Sequence, residues 1–154
     1  MTVIIYLIGK PGTGKYTIAQ ELAQYKYVIC DNQLINNPIF ALLGYDTLHT
    51  VPEFAWDTID KIRNNVFDFI IKEKNNNYVL TNALYEEKGD QKLFDRVQAM
   101  ALKRQSLFIP VKLHISVEEH IKRITNKKRT LRYKSIDIQY AHCTIPLIPI
   151  THPH

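Results

Sequence analysis

The chain opens on one unbroken apolar run. Val3–Ile8 (VIIYLI) is rich in β-branched residues and meets glycine at once, the pattern of a strand covered on both faces in a parallel sheet. From Lys15 the period lengthens, and Ile18, Ala19, Leu22 and Ala23 share one helical stripe. A second short strand is expected at Tyr27–Cys30, ending at Asp31, with a short helix around Gln33–Leu43. Thr50 and Glu53 stand in capping-box spacing with Pro52 in the first turn. Ile59, Ile62, Val66 and Ile70 then repeat at helical spacing to about Lys72. Asn75–Asn77 reads as a loop and Tyr78–Thr81 as a third strand ending at Asn82. Asp90 is placed to cap a helix carrying Leu93, Val97, Met100 and Ala101. Leu107–Ile115 contains a fourth strand, and Ser116 with Glu119 offers a second capping box for a helix through Ile124. Strands alternating with helices predict an α/β fold with a parallel sheet.

The run Ile145–Ile150 is apolar enough for a strand, but Pro146 and Pro149 bar it from a central ladder position. The expectation is therefore a four-stranded core with an irregular C-terminal arm over residues 145–154. The fourth strand would then have a neighbour on one side only, an edge open to pairing with another chain, blunted by Pro110. Marginal stability and a tendency to form homo-oligomers are expected from that edge.

Composition narrows the class. With 154 residues, 45% hydrophobic and 23% charged, the chain suits a single globular domain over 1–154 rather than a disordered segment. Cys30 and Cys143 form neither a zinc spacing nor a CxxC pair, so a reducing cytoplasm is expected. No apolar run reaches the ~20 residues of a membrane helix, and no signal-peptide pattern opens the chain. Of the net charge of +5, the stretch Lys103–Lys134 alone holds ten Lys or Arg against Glu118 and Glu119, an excess of eight, so the remainder sums to −3. Basicity confined to one stretch suits a compact polyanion such as a nucleotide better than extended nucleic acid.

Chemistry concentrates between the first strand and the first helix. Gly9-Lys10-Pro11-Gly12-Thr13-Gly14-Lys15 fits GxxxxGK in the strand-to-helix context that such a loop needs. Glycines there let backbone N–H groups turn inward around an anion, the helix adds its positive dipole end, and a lysine reaches the outer phosphates. Where Ser or Thr usually follows the lysine to hold magnesium, this chain has Tyr16, and Thr17 comes next.

The arrangement GxPGxGK-x-T resembles the phosphate loop of adenylate kinase and its relatives. The whole chain is similar to the small P-loop kinases: shikimate and gluconate kinases, chloramphenicol phosphotransferase, adenylylsulfate kinase and nucleoside monophosphate kinases. Within that group it resembles an AAA-type kinase branch whose second strand ends in a DNxLINNP-like segment, here Asp31–Pro38. The resemblance implies a P-loop NTPase three-layer sandwich in order 2-3-1-4, a fifth strand being absent. It implies ATP and Mg2+ as cofactors and a small hydroxylated acceptor bound beyond strands two and three. Gly9, Pro11, Gly12, Thr13, Gly14, Lys15, Tyr16 and Thr17 would bind nucleotide, with Arg123 stacking on adenine. Lys15, Asp31 and Arg129 would be catalytic, Asp31 as base or as a magnesium organiser through water; Thr17 is a second candidate for the metal.

From the residues themselves, Asp31 ends a parallel strand beside the loop, facing the crevice where ligands bind, and can equally cap the next helix. Arg63 sits at the edge of an apolar stripe and needs either an acidic acceptor or a structural partner. Asn82 can orient the acceptor or a water, or act as a cap. Arg123, Lys127, Lys128, Arg129 and Arg132 fall where a lid of about residues 123–134 would lie, with Arg129 or Arg132 reaching phosphate or acceptor. His114, His120, His142, His152 and His154 share no metal-ligand spacing and read as surface or packing residues. Three functions follow: a phosphotransferase, a nucleotide-binding regulatory protein with little catalysis, and a polynucleotide kinase-like or RNA-binding protein. The first is favoured, nucleic acid being the less suited ligand.

Overall fold

The computed structural model describes residues 1–150; the end of the expected arm, with His152 and His154, lies outside the described residues. Four strands, β1 (Val3–Ile8), β2 (Tyr27–Asp31), β3 (Asn77–Asn82) and β4 (Leu107–Lys112), form one parallel sheet in the order β2-β3-β1-β4. β1 is central, as its continuous apolar run requires: Ile4, Tyr6, Leu7 and Ile8 are all buried. Six helices connect and cover the strands: α1 (Lys15–Ala23), α2 (Asn32–Leu43), α3 (Glu53–Lys72), α4 (Lys88–Arg104), α5 (Val117–Ile124) and α6 (Gln139–His142).

Three layers result. On one face Ile4, Tyr6 and Ile8 of β1 join Tyr78 and Leu80 of β3, and α3 and α4 seal them with Ile59, Phe67, Ile70, Phe94, Val97 and Met100. On the other face Leu7 and Val79 pack against Ala19 of α1. Alternation along β1 assigns its side chains to the two cores, because successive residues of a strand face opposite ways. Every crossover is parallel, so the strand ends carrying Ile8, Asp31 and Asn82 gather at one rim of the sheet. The loop after β1 and the start of α2 therefore open into the same crevice.

Several local expectations need correction. Thr50 and Glu53 make no capping box: Pro52 is the N-cap of α3 and no side chain caps it. Asp90 is not a cap either. α4 begins two residues earlier, and the Asp90 carboxylate instead accepts from the Tyr85 backbone N–H at 2.8 Å, tying down the loop before the helix. β4, Leu107–Lys112, lies inside the expected range Leu107–Ile115. Ser116 does cap α5, its hydroxyl accepting from Glu119 N, while the Glu119 carboxylate turns to Arg123 instead of closing the box.

Residues 145–150 add no strand beside β4. Leu147 makes an isolated antiparallel bridge to Tyr85, and Leu147 and Ile148 are buried in the larger core. The outer side of β4 is left without a strand partner among the described residues, and Leu107 and Ile109 are exposed there. No helix of the described residues is long and apolar enough to cross a membrane.

Candidate active site

The loop between β1 and α1 has the backbone an anion cradle needs. Gly12 and Gly14 take φ of +89° and +93°, a region that side chains rarely adopt, and Gly14 is the N-cap of α1 with no side chain filling that role. The first N–H groups of α1 are thus open at a positive helix end. Thr13 is buried, its hydroxyl donating to the Lys10 carbonyl at 2.9 Å. The Lys15 ammonium folds over the loop and donates to the carbonyls of Gly9 and Lys10, at 2.5 and 2.9 Å. Burial, with Lys134 and Arg129 nearby, brings its pKa down to about 7. A cation held this way gains strongly from an incoming anion.

Beside the loop lies a cleft of about 760 Å³. At one end it is lined by Gly12–Ile18, Asp31, Arg123, Lys128, Arg129, Arg132 and Lys134, six cations counting Lys15 against one carboxylate. At the other end it is lined by Asn32, Gln33, Asn36, Phe40, Tyr45, Trp56, Tyr133 and Tyr140.

Asp31 spans the junction of the two ends. One carboxylate oxygen caps α2 by accepting from Leu34 N at 3.2 Å, and the other pairs with Arg132 Nη2 at 3.0 Å. The capping role weighed for this residue is thus present, and its other carboxylate oxygen is engaged by an arginine. The Arg132 guanidinium also lies 3.6 Å from the Tyr16 ring centroid, and the Lys134 ammonium 4.7 Å from it. Arg132 Nη1 is buried with no partner among the described residues. The segment after α5 forms a 3-10 helix, Lys127–Arg132, followed by Tyr133 with positive φ. Arg129 is half-buried there and donates to the Ser135 carbonyl at 2.8 Å. Arg123 pairs with Glu119 at 2.6 Å and comes close to Gly14, where an added Cβ would meet its Nη1 at 3.1 Å.

Arg63 is placed differently from the expectation that it binds an acidic acceptor. It does not line the cleft; its Nη2 donates to Asn32 Oδ1 at 3.1 Å and Asn36 Oδ1 at 3.3 Å, and Asp60 lies 3.8 Å from Nη1. The guanidinium on the edge of the apolar stripe finds two amides and a carboxylate, the structural partner weighed for it. Asn82 is not a cap: it accepts from the Tyr6 hydroxyl at 2.9 Å and donates to Asn32 Oδ1 at 2.9 Å. Thr17 is exposed and lines the cleft.

His120 is the site residue that spacing arguments missed. It is not a surface residue: it is 3% exposed, its Nε2 is hydrogen-bonded to the Pro11 carbonyl, and its ring packs against Gly12. Its position one turn before Arg123 on α5 was the available signal, since residues three apart share a helix face. Asn32 and Asn36, one turn apart on α2, carried the same kind of signal.

No family model matches the sequence, and no curated protein is similar to it in sequence. Solved structures are similar to it in shape. A protein from Chloroflexus aurantiacus described as a candidate kinase superposes with a TM-score of 0.68 at 16% identity, over 99% of this chain and 82% of that one. A gluconokinase from Sinorhizobium meliloti 1021 superposes with a TM-score of 0.54 at 11% identity, over 91% of this chain and 71% of that one. The fold is that of the small P-loop kinases. In this chain the loop, the strand ends and the segment after α5 meet around one cleft.

Proposed function

We propose that the chain is an ATP-dependent phosphotransferase that moves the γ-phosphoryl group to a hydroxyl of a small acceptor. The observation that carries this reading is the junction at Asp31: a glycine cradle with a half-buried lysine on one side, an uncharged pocket on the other, and a carboxylate and an arginine between them. Backbone N–H groups and Lys15 hold the outer phosphates. Arg132, with one nitrogen unpartnered, and Arg129 neutralise charge on the transferring group. The acceptor oxygen forms a bond to the γ-phosphorus as the bond to the β–γ bridging oxygen breaks, leaving ADP. The hydroxyl proton passes to Asp31 once Arg132 has moved from its carboxylate to the phosphoryl oxygens.

Magnesium fits this site as the nucleotide's partner. No cluster of three acidic, His or Cys side chains exists among the described residues, but Mg2+ in such sites takes phosphate oxygens, waters and one or two protein oxygens. The Thr17 hydroxyl and, through water, the Asp31 carboxylate supply oxygens of that kind. Bound there, the ion would neutralise phosphate charge.

One observation favours a second reading. Tyr16 stands at the position that usually offers a hydroxyl to the metal, and it is covered by Arg132, which also locks Asp31. A regulatory protein that binds nucleotide with little turnover would suit that latch. ATP consumption across a panel of hydroxylated acceptors, run beside a control without acceptor, separates the two. Acceptor-dependent ADP release supports the kinase; nucleotide binding without it supports the regulator.

A further inference from the structure

We propose that the acceptor is an uncharged nucleoside, held by its flat heteroaromatic ring at the end of the cleft away from the phosphate loop. The inference rests on the phosphotransfer reading of this cleft but is argued from the opposite wall. The side chains there are aromatic or amide, and none of Asn32, Gln33, Asn36, Phe40, Tyr45 and Trp56 carries a charge.

The rings form one array. Phe40, buried at its centre, lies with its centroid 4.7 Å from Tyr45, 5.7 Å from Trp56 and 6.3 Å from Tyr133. Trp56 remains 46% exposed and Tyr45 and Tyr133 are partly exposed, so ring surface is left for a planar ligand to cover. Stacking on such an array favours any molecule with a π face.

The amides set the polar pattern. A guanidinium has only donors, so the Asn32 and Asn36 atoms facing Arg63 must be oxygens. Asn82 consumes the Asn32 oxygen a second time. Both side chains consequently hold their NH2 groups, which only donate, off Arg63, and both residues line the cleft. Gln33 supplies the complement: its Oε1 is buried without a partner among the described residues and seeks a donor. Donors and an acceptor on one wall match the edge of a nucleobase, where ring nitrogens or carbonyls alternate with N–H groups. A sugar acid or other carboxylate would require a cation at this end. Arg63, the cation placed nearest the amides, spends its charge on them and on Asp60 outside the lining.

Trp56 is the single tryptophan of the chain, so its fluorescence reports on this wall alone. Titration of the full chain, without ATP, with adenosine, guanosine, cytidine and uridine, and with gluconate, shikimate and the four nucleoside monophosphates, tests the proposal. The expected result is saturable quenching by at least one nucleoside, at least ten-fold tighter than by either acid. Asn36→Leu should weaken that binding about ten-fold while leaving the affinity for a non-hydrolysable ATP analogue unchanged. If Asn36→Leu does not fold, Gln33→Leu reads the same pocket from a less buried position. No nucleoside response, tighter binding of an acid or a monophosphate, or indifference to the amide variants would overturn it. Nucleoside binding without phosphate transfer would leave the nucleoside site standing and overturn the kinase reading, and with it the nucleoside's role as acceptor.

Discussion

The two ends of the cleft are built by opposite means. The proposed phosphate end is built around the consecutive residues Pro11 to Ile18, joined by Asp31 and by cations of α5 and the segment after it; the ring end is made of side chains drawn from α2, α3 and the segments after α2 and the 3-10 helix. Charge separates them as well, with six cations around one end and none at the other. A phosphate is the same in every nucleotide, so one rigid backbone shape suffices to hold it. An acceptor differs from enzyme to enzyme, and the selectivity for it must reside in side chains that can vary independently.

The sharpest way to break this comparison is to remove one end and ask whether the other survives. Lys15→Ala deletes the ammonium that closes the cradle and should lower turnover with ATP on the order of 10³-fold. Nucleoside quenching of Trp56 should be unaffected, because no ring-end contact involves Lys15. Steady-state kinetics beside the fluorescence titration checks both; loss of the Trp56 response in this variant would show the ends to be one site. Asp31→Asn acts at the junction. It preserves the helix cap, since an amide oxygen can accept from Leu34 N, yet removes the proton acceptor and the partner of Arg132. Turnover should fall on the order of 10²-fold with both Michaelis constants changed little. Near-normal turnover would return Asp31 to capping alone.

What could be read from the residues divides along the same line. Strand order and layers came from the resemblance to the small P-loop kinases. The central β1, the loop after it and α3 were legible because each rests on local pattern: a continuous apolar run, glycine spacing, a 3.6-residue period. The ring end was not. Phe40, Tyr45, Trp56 and Tyr133 are separated by 93 positions from first to last (133 minus 40), and only the fold brings their rings together. Arg63 was rightly suspected of needing a partner, but burial alone does not say whether a guanidinium meets a ligand or two asparagines. The Asp90 cap failed for a related reason: a carboxylate near a helix start has several backbone N–H groups in reach, and loop geometry chose Tyr85.

The pH response should belong to the phosphate end alone. Lys15 has its pKa brought down to about 7 by burial and by Lys134 and Arg129, and burial beside Arg132 brings Lys134 down to about 8. Each is a base whose folded-state value lies below the unfolded one. Above those folded values the unfolded chain holds more protons, so stability should rise with pH from about 7 toward the ordinary lysine range near 10.5. Bound phosphates oppose the depression, so nucleotide binding should take up protons at about pH 8.5, where Lys15 would otherwise be neutral. Calorimetry in two buffers of different ionisation enthalpy measures this uptake, which Lys15→Met should reduce. Nucleoside binding in the absence of nucleotide should proceed without it. Equal proton uptake at both ends would contradict the separation.

The smallest expected effect concerns His120, which holds the phosphate end from behind. Its ring fixes the Pro11 carbonyl and fills the space against Gly12, so the loop can keep its N–H groups turned toward the ligand. Because Arg123 follows one turn later on α5, the same contact sets how near that arginine stands to Gly14. His120→Ala leaves the Pro11 carbonyl without its donor and opens a void beside Gly12. A lost hydrogen bond of about 1 kcal/mol translates into roughly a five-fold rise in the ATP Michaelis constant, with the acceptor constant unchanged at saturating ATP. His120→Gln, whose amide nitrogen can reach the position of Nε2, should recover part of the loss, whereas His120→Leu should restore packing without restoring affinity. An ATP constant that stays at the wild-type value in His120→Ala would mean that the glycine cradle holds its shape unaided, and the phosphate end would then depend on backbone alone.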